Sequence, residues 1–172
     1  RVLTLIQSRL QAERAFLRRA FADPPEADLD PVTLLALPDG IAADPLLAGM
    51  IETQQNLLRH HAFANRRTQA SLLARLKTQT DRLAALEQRA AALDEVATLI
   101  RDRLEAVRSL QDKGLAAGET VVEASRSNAE TLAAQLDLSA AIAEARVAIE
   151  ELELERATFV TSLERGIDEE LA

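Results

Sequence analysis

The residues of this sequence best suited to metal binding or acid–base chemistry are a histidine pair and a run of glutamates. His60 and His61 are adjacent, which places them about 100° apart around a helix instead of on one ligand face, and no zinc-binding His-Glu-x-x-His motif includes them. The glutamates at 150, 151, 153 and 155 spread around a helix in the same way. We therefore expect solvated helix residues at both places, with no metal, no cofactor and no catalytic group.

Composition removes further classes of chemistry. The 172 residues include no cysteine, which excludes disulfides, thiolate metal sites and a cysteine nucleophile. No Gly-rich phosphate loop or Gly-x-Ser-x-Gly motif is present. A net charge of -8 and an aromatic fraction of 2% disfavour nucleic-acid binding. The sequence therefore predicts a protein that is not an enzyme, and its apolar fraction of 48% suits packing of helix against helix.

The prolines divide the chain. All five lie between positions 24 and 45, and proline disrupts helix interiors at a cost of about 3 kcal/mol. We expect a first helix over 1–22 and a Pro-rich linker over 23–43, in which Leu34, Leu35 and Leu37 suggest some packing back onto the helices. Asp44 and Pro45 then predict a helix start, with Asp as N-cap and Pro at the first helical position.

A heptad pattern follows the linker. From Ile51, alternating steps of four and three residues reach Gln111, a spacing that predicts a coiled-coil helix over about 44–113. The positions of this predicted seam are Ile51, Gln55, Leu58, Ala62, Asn65, Gln69, Leu72, Leu76, Gln79, Leu83, Leu86, Ala90, Leu93, Ala97, Ile100, Leu104, Val107 and Gln111.

A tight reversal is predicted over 114–119. Gly114 suits the left-handed conformation that ends a helix, Lys113 is favourable beside the helix dipole, and Leu115 is placed to fold back as a hydrophobic contact. Thr120 and Glu123 have the spacing of a capping box. We therefore expect a second helix over about 120–170, antiparallel to the first because the connection is so short.

The apolar stripe of the second helix is less regular than the heptad seam of the first. Its spacing changes phase near Ser139 and Ile142, which predicts an uneven seam there. The members of the predicted stripe are Leu132, Leu136, Ile142, Ile149, Leu152, Phe159, Leu163 and Ile167.

Charge provides an independent indication of the antiparallel pairing. Residues 51–89 carry seven basic and three acidic side chains, and residues 144–172 carry three basic and nine acidic ones. A turn centred on Ala116 places 51–89 beside roughly 143–181, so the basic stretch faces the acidic one. Arg82 with Glu150 and Lys77 with Glu155 are the expected pairs, each contributing about 0–1 kcal/mol. The predicted fold is all-α: a long antiparallel coiled-coil hairpin over 44–172, with the shorter N-terminal helix packed near its base.

The reversal is also where the sequence resembles a known family. Residues 113–115 (KGL), five intervening residues, residues 121–122 (VV) and Arg126 resemble the hairpin tip of periplasmic adaptor proteins. These are the membrane fusion proteins of the haemolysin-D-like family, and the resemblance is closest to the branch that serves type I exporters of proteases and lipases. The preceding order is similar too: a short helix with Ala-Glu-Arg at 12–14, a Pro-rich insert with Leu-Leu-Ala at 34–36, then the hairpin.

The resemblance implies a function and a set of partners. Adaptors of this family lie in the periplasm, are anchored in the inner membrane, and form a ring of six copies that joins an ABC transporter to a TolC-type outer-membrane channel. The present chain, which begins at Arg1 inside an amphipathic pattern, is then expected to be a fragment lacking the flanking lipoyl-like and β-barrel domains and the membrane helix.

The same resemblance places channel docking at the tip. The expected docking residues are Leu110, Gly114, Leu115, Ala117, Val121 and Val122, with Arg103 or Arg108 as charged contacts. Many adaptors have an Arg-x3-Leu-x6-Ser pattern here; Leu110 matches it, whereas Ala106 and Ala117 replace the Arg and the Ser.

Two other functions fit parts of the pattern. A coiled-coil arm of a scaffold or ATPase-associated protein explains the seam, the turn and the charge pairing, but not the Pro-rich insert. A helical protein that lies on a lipid surface conflicts with the acidic balance, the scarce aromatics and the narrow seam. Capping of the hairpin's own core is the alternative role for Leu110 and Leu115.

Overall fold

The chain is almost entirely helical in a computed structural model, which describes residues 1–22, 28–37, 39–42 and 44–172. The α-helices are α1 (Val2–Ala20), α2 (Asp39–Ala42), α3 (Ala48–Asp112) and α4 (Gly118–Leu171), and two short 3₁₀ helices span Pro31–Leu34 and Pro45–Leu47. Within these described ranges there is no β-strand. The expected all-α hairpin with a shorter N-terminal helix is confirmed.

The described residues form two compact units. The first unit contains residues 1–74 and 153–172, and the second contains residues 75–152. Each unit includes a part of α3 and a part of α4, whereas α1 belongs to the first unit alone.

The first unit is a bundle in which α1 packs on the paired helices. α1 is amphipathic and buries Leu10, Phe16 and Leu17 together with Ala62 of α3 and Ile167 of α4. Burial of a large apolar side chain contributes about 1.5–3 kcal/mol. This shared apolar cluster holds the short helix in place.

Part of the linker packs on this bundle. Leu29 and Leu34 are partly buried against the apolar cluster, and the Arg66 guanidinium both donates a hydrogen bond to the carbonyl of Leu29 and lies 4.8 Å from the centroid of the Phe16 ring. A guanidinium over an aromatic face is attracted by the ring quadrupole. The parts of the linker prediction that concern 23–27, 38 and 43 lie outside the described residues.

The start of the long helix differs from the sequence prediction. The Asp44 side chain accepts a hydrogen bond from the backbone N–H of Leu46 at 3.0 Å, as expected of a cap. It caps a 3₁₀ turn, however, and α3 itself begins at Ala48. The Pro45 ring is compatible with the first turn of a 3₁₀ helix and of an α-helix. The sequence Asp44-Pro45 therefore predicts where the cap lies but not which of the two helix types follows it.

The seam of α3 agrees with the heptad pattern. Every predicted seam position from Ile51 to Val107 is buried or half-buried, and only the last, Gln111, is exposed. Three other residues of α3 are half-buried, namely Gln54, His61 and Arg66, all in the first unit.

The seam of α4 corrects the prediction for the second helix. Leu132 and Leu136 are exposed, and Thr131, Gln135 and Leu138 lie in the seam instead. The steps of three and four therefore continue without a phase change through Ile142 and Ala145. The predicted unevenness near Ser139 is wrong because the prediction placed Leu132 and Leu136 in the seam, whereas the polar residues Thr131 and Gln135 lie there.

Interhelical polar contacts fix the register of the second unit. Arg146 forms an ion pair with Glu87 at 2.8 Å, and the Gln135 amide donates to the Asp94 carboxylate at 3.0 Å. A turn centred on Ala116 places Glu87 opposite residue 145, so the predicted register is close. The acid of this ion pair lies on α3 and the base on α4, the reverse of the expected pairs. Lys77 pairs with Asp81 of its own helix at 3.4 Å.

Candidate functional site: the hairpin turn

The turn between α3 and α4 is closed by backbone hydrogen bonds characteristic of a Schellman motif. Gly114 has φ of +73°, its N–H donates to the carbonyl of Gln111 at 2.8 Å, and the N–H of Leu115 donates to the carbonyl of Leu110 at 2.8 Å. Glycine adopts this left-handed conformation without the steric cost that a Cβ imposes. The prediction that Gly114 terminates the helix is therefore confirmed by the backbone itself.

The second half of the turn differs from the prediction. α4 begins at Gly118, and the N–H of Thr120 donates to the carbonyl of Ala117 at 3.1 Å. Thr120 thus lies inside the first helical turn, and the predicted capping box of Thr120 and Glu123 is wrong. Glu119, in the first turn, is favourable beside the positive end of the helix dipole.

Apolar side chains are exposed at the turn, whereas the apolar residues of the adjoining seam are buried or half-buried. Leu104 and Ala124 are buried, and Val107 and Val121 are half-buried. By contrast, the exposed fraction is 74% for Leu115, 69% for Val122 and 43% for Leu110. The expectation that Leu115 folds back onto its own helix is therefore wrong. Its exposure also contradicts the alternative role of capping the hairpin's core.

The remaining turn residues are small or charged. Ala117 is exposed and Ala116 is half-buried, so the backbone is accessible between the two helix ends. Arg103, Arg108 and Arg126 are all exposed. The second unit therefore presents small residues, exposed leucine and valine side chains, and nearby guanidinium groups at and near its turn.

One histidine of the pair, His61, has a structural role that the sequence did not reveal. His60 is exposed, as expected, but His61 is half-buried, and its Nδ1 lies 3.0 Å from a carboxylate oxygen of Glu13 on α1. Glu13 also accepts a hydrogen bond from Arg9 at 2.8 Å, and Arg9 reaches Glu170 of α4 at 3.1 Å. Among the described residues no group of three or more His, Asp or Glu side chains is arranged to hold a metal ion.

This polar network links the three helices of the first unit. The side chains of Arg9 and Glu13 are only 8% and 10% exposed. A buried charge that loses its counter-ion destabilises the fold, so Arg9 and Glu13 each depend on the presence of the other. Their spacing of four residues on one face of α1 was the available signal, and the partners on α3 and α4 could not be read from it.

The helices that the structure describes differ from membrane-spanning helices in length or in apolar character. None of them combines the length and the apolar character that a bilayer crossing demands.

The architecture and the turn together define an antiparallel helical hairpin with a shorter N-terminal helix, α1, packed on it. A family model described as "AprE, long alpha-helical hairpin" matches residues 2–172. The chain belongs to this family, the long α-helical hairpin of type I secretion membrane fusion proteins. Comparisons with curated proteins and with solved structures gave no match.

Proposed function

We propose that the chain is the hairpin of a periplasmic adaptor in a type I protein secretion system, and that its turn docks on a TolC-type outer-membrane channel. The observation that carries this proposal is the exposure of Leu110, Leu115 and Val122 around a turn that begins with the two backbone hydrogen bonds of a Schellman motif. Membership of the AprE hairpin family supports the same assignment.

The chemistry of the turn suits helix-to-helix docking. Small residues such as Ala117 permit close approach of a partner helix, and exposed apolar side chains provide the knobs that fill its grooves. Gly114 and half-buried Val121 contribute by setting the shape of the turn. The candidate docking set remains Leu110, Gly114, Leu115, Ala117, Val121 and Val122.

The wider assembly is part of the same proposal. The full-length protein is anchored in the inner membrane, contacts an ABC transporter through other domains, and forms a ring in the periplasm. One turn offers a small contact that binds weakly, whereas several copies in a ring strengthen binding by avidity.

A substitution at the most exposed turn residue tests the docking role. Leu115→Asp places a charge where an apolar contact is required, and we expect it to abolish export of the substrate and crosslinking of the turn to the channel. Leu154→Asp is the matched control, since Leu154 is a leucine of similar exposure, 68%, in the first unit.

Circular dichroism of both variants should show unchanged helix content. Export by Leu115→Asp at the level of wild type contradicts the proposal. Gly114→Pro is less suitable as a test, because proline has no N–H for the bond to Gln111 and cannot adopt φ of +73°.

A further inference from the structure

One aromatic side chain of the first unit is exposed to solvent. The chain has four phenylalanines and no tryptophan or tyrosine. Phe16 is buried, and the half-buried rings of Phe21 and Phe159 lie 6.3 Å apart. Phe63 of α3, by contrast, is 68% exposed. Aromatic residues on a protein surface are enriched in contacts between proteins, so Phe63 marks a candidate binding surface.

Arginine side chains flank Phe63 at one helical turn on both sides. Arg59 lies four residues before it and Arg67 four residues after it, so the three side chains share one side of α3. All three are exposed, and we call them the α3 basic stripe. The residues that extend this side of the helix, Asn56 and Ala70, are exposed and uncharged. The stripe thus places an aromatic ring between two positive charges.

The two arginines of the α3 basic stripe have no acidic partner in the described part of the chain. Residues 53–80 contain five Arg or Lys and no Asp or Glu. The Arg59 guanidinium donates a hydrogen bond to the neutral Asn56 side chain at 3.2 Å. Neither Arg59 nor Arg67 forms an ion pair with an acid that the structure describes, whereas Arg9 of the same unit pairs with two. Their charges are therefore available to an external carboxylate.

Arg66 borders the stripe but is engaged within the fold. Its guanidinium lies over the Phe16 ring and donates to the carbonyl of Leu29. Leu29 is flanked by two exposed acids, Asp28 and Asp30, and within the described residues neither forms an ion pair with the stripe. Arg66 thus adds positive charge beside the stripe without being free to bind a partner.

The chemistry of the stripe fits an acidic segment with an apolar residue at its centre. Carboxylates form charge-assisted hydrogen bonds with guanidinium groups, and an apolar or aromatic side chain packs on the exposed ring. Along α3 the rise from Arg59 to Phe63, and from Phe63 to Arg67, is about 6 Å. In an extended segment, alternate side chains lie on one face about 6.6 Å apart. An acid-x-apolar-x-acid segment in extended conformation therefore places its three side chains opposite the three of the stripe.

A peptide fits this surface better than a lipid bilayer does. A helix that lies on a membrane needs a continuous apolar face beside its basic residues, whereas the stripe has Phe63 alone between two arginines. The net charge of -8 also repels an anionic membrane over the rest of the chain. A short peptide contacts the stripe and little else.

We propose that the α3 basic stripe is a docking site for an acidic, extended segment of a partner protein. The apolar side chain of the segment packs on Phe63, and its two carboxylates pair with Arg59 and Arg67. The stripe lies in the first unit and the turn in the second. This inference therefore goes beyond the channel docking of the proposed function and does not depend on it.

Fluorescence anisotropy of labelled peptides measures the binding. The probe contains the sequence Glu-Thr-Phe-Thr-Glu, and the control peptide contains Gln-Thr-Phe-Thr-Gln, which keeps the spacing and removes the charge. We expect the purified chain to bind the acidic peptide about tenfold more tightly at low salt, since each exposed ion pair contributes up to about fivefold. Salt at about 0.5 M should remove most of the difference by screening.

Substitutions in the chain locate the site. Phe63→Ala should weaken binding of the acidic peptide about tenfold, as expected of an aromatic anchor. Arg59→Gln and Arg67→Gln should each weaken it up to about fivefold. The matched control is Leu154→Ala, because Leu154 is equally exposed, 68%, but its neighbours on α4 are acidic. This control should bind the peptide as wild type does, and circular dichroism should show the same helix content for every variant.

The outcomes separate this inference from the proposed function. Equal affinity for the two peptides, or unchanged binding by Phe63→Ala, overturns the inference. Tighter binding to phosphatidylglycerol vesicles than to the acidic peptide also overturns it, since the partner is then a lipid surface. Leu115→Asp should bind the peptide as wild type does. Loss of export by Leu115→Asp without any peptide binding by the wild-type chain leaves the proposed function in place and removes only this docking site.

Discussion

Single residues decide the geometry of the turn. Gly114 has φ of +73°, and a Cβ added there meets no atom within 4 Å, so only its backbone conformation opposes substitution. We expect Gly114→Ala to lower the free energy of unfolding by about 1 kcal/mol, because a left-handed conformation costs about that much in a residue with a Cβ. Urea denaturation followed by circular dichroism measures the change.

Gly166→Ala is the matched control. Gly166 lies inside α4, without a positive φ, and a Cβ added there also meets nothing within 4 Å. Alanine should stabilise the chain by about 0.5–1 kcal/mol at this position. Equal effects of the two substitutions contradict the role given to Gly114.

The buried ion pair of α1 allows a second test at the residue scale. Arg9→Leu leaves the Glu13 carboxylate buried without its main partner, and we expect a loss of about 3 kcal/mol in the free energy of unfolding. The double variant Arg9→Leu with Glu13→Leu should lose less than the sum of the single losses. Arg14→Ala, at a half-exposed pair with Asp168, should cost under about 1 kcal/mol.

At the scale of the helices, the sequence predicted α3 more accurately than α4. The seam of α3 contains Leu, Ile, Val and Ala at most positions, so the apolar period and the packed face coincide. In α4 the polar residues Thr131 and Gln135 occupy the seam and Leu132 and Leu136 do not. Periodicity alone cannot distinguish these two faces, because both follow steps of three and four.

The conformation of the candidate docking residues was partly predictable from the sequence. Gly114 was recognisable because the left-handed conformation that ends many long helices is usually occupied by glycine, and Gly114 has this conformation. The start of α4 was not recognisable from the sequence, since the residue before the helix, Ala117, has no side-chain oxygen that could cap it. The capping-box pattern that begins at Thr120 lies three residues further on. The exposure of Leu115 depends on the direction that the chain takes after Gly114, which local sequence does not determine.

The assignment of the α4 seam can be tested with two neighbouring leucines. Leu138 is 7% exposed and Leu136 is 63% exposed on the same helix. We expect Leu138→Ala to lower the free energy of unfolding by about 2–3 kcal/mol, through lost burial and a cavity, and Leu136→Ala to change it by under about 0.5 kcal/mol. Thermal or urea unfolding of the two variants gives the comparison, and a reversed order contradicts the continuous seam.

At the scale of the whole molecule, each of the two compact units has buried apolar residues of its own. Phe16 is buried among α1, Ala62 and Ile167 in the first unit, whereas Leu104 is buried in the second. Cooperative opening in proteins often follows such units, and amide exchange reports each of them. A substitution that destabilises the core of one unit should therefore accelerate exchange mainly of the amides in that unit.

We expect Phe16→Ala to cost the first unit about 3 kcal/mol and to accelerate exchange of its most protected amides by about 100-fold. Amides around Ala97 and Leu138 in the second unit should retain the wild-type rate. Leu104→Ala should have the opposite distribution, with faster exchange confined to the second unit. Hydrogen exchange read by mass spectrometry resolves these regions, and equal acceleration of both units by Phe16→Ala would show that the chain opens as one cooperative body.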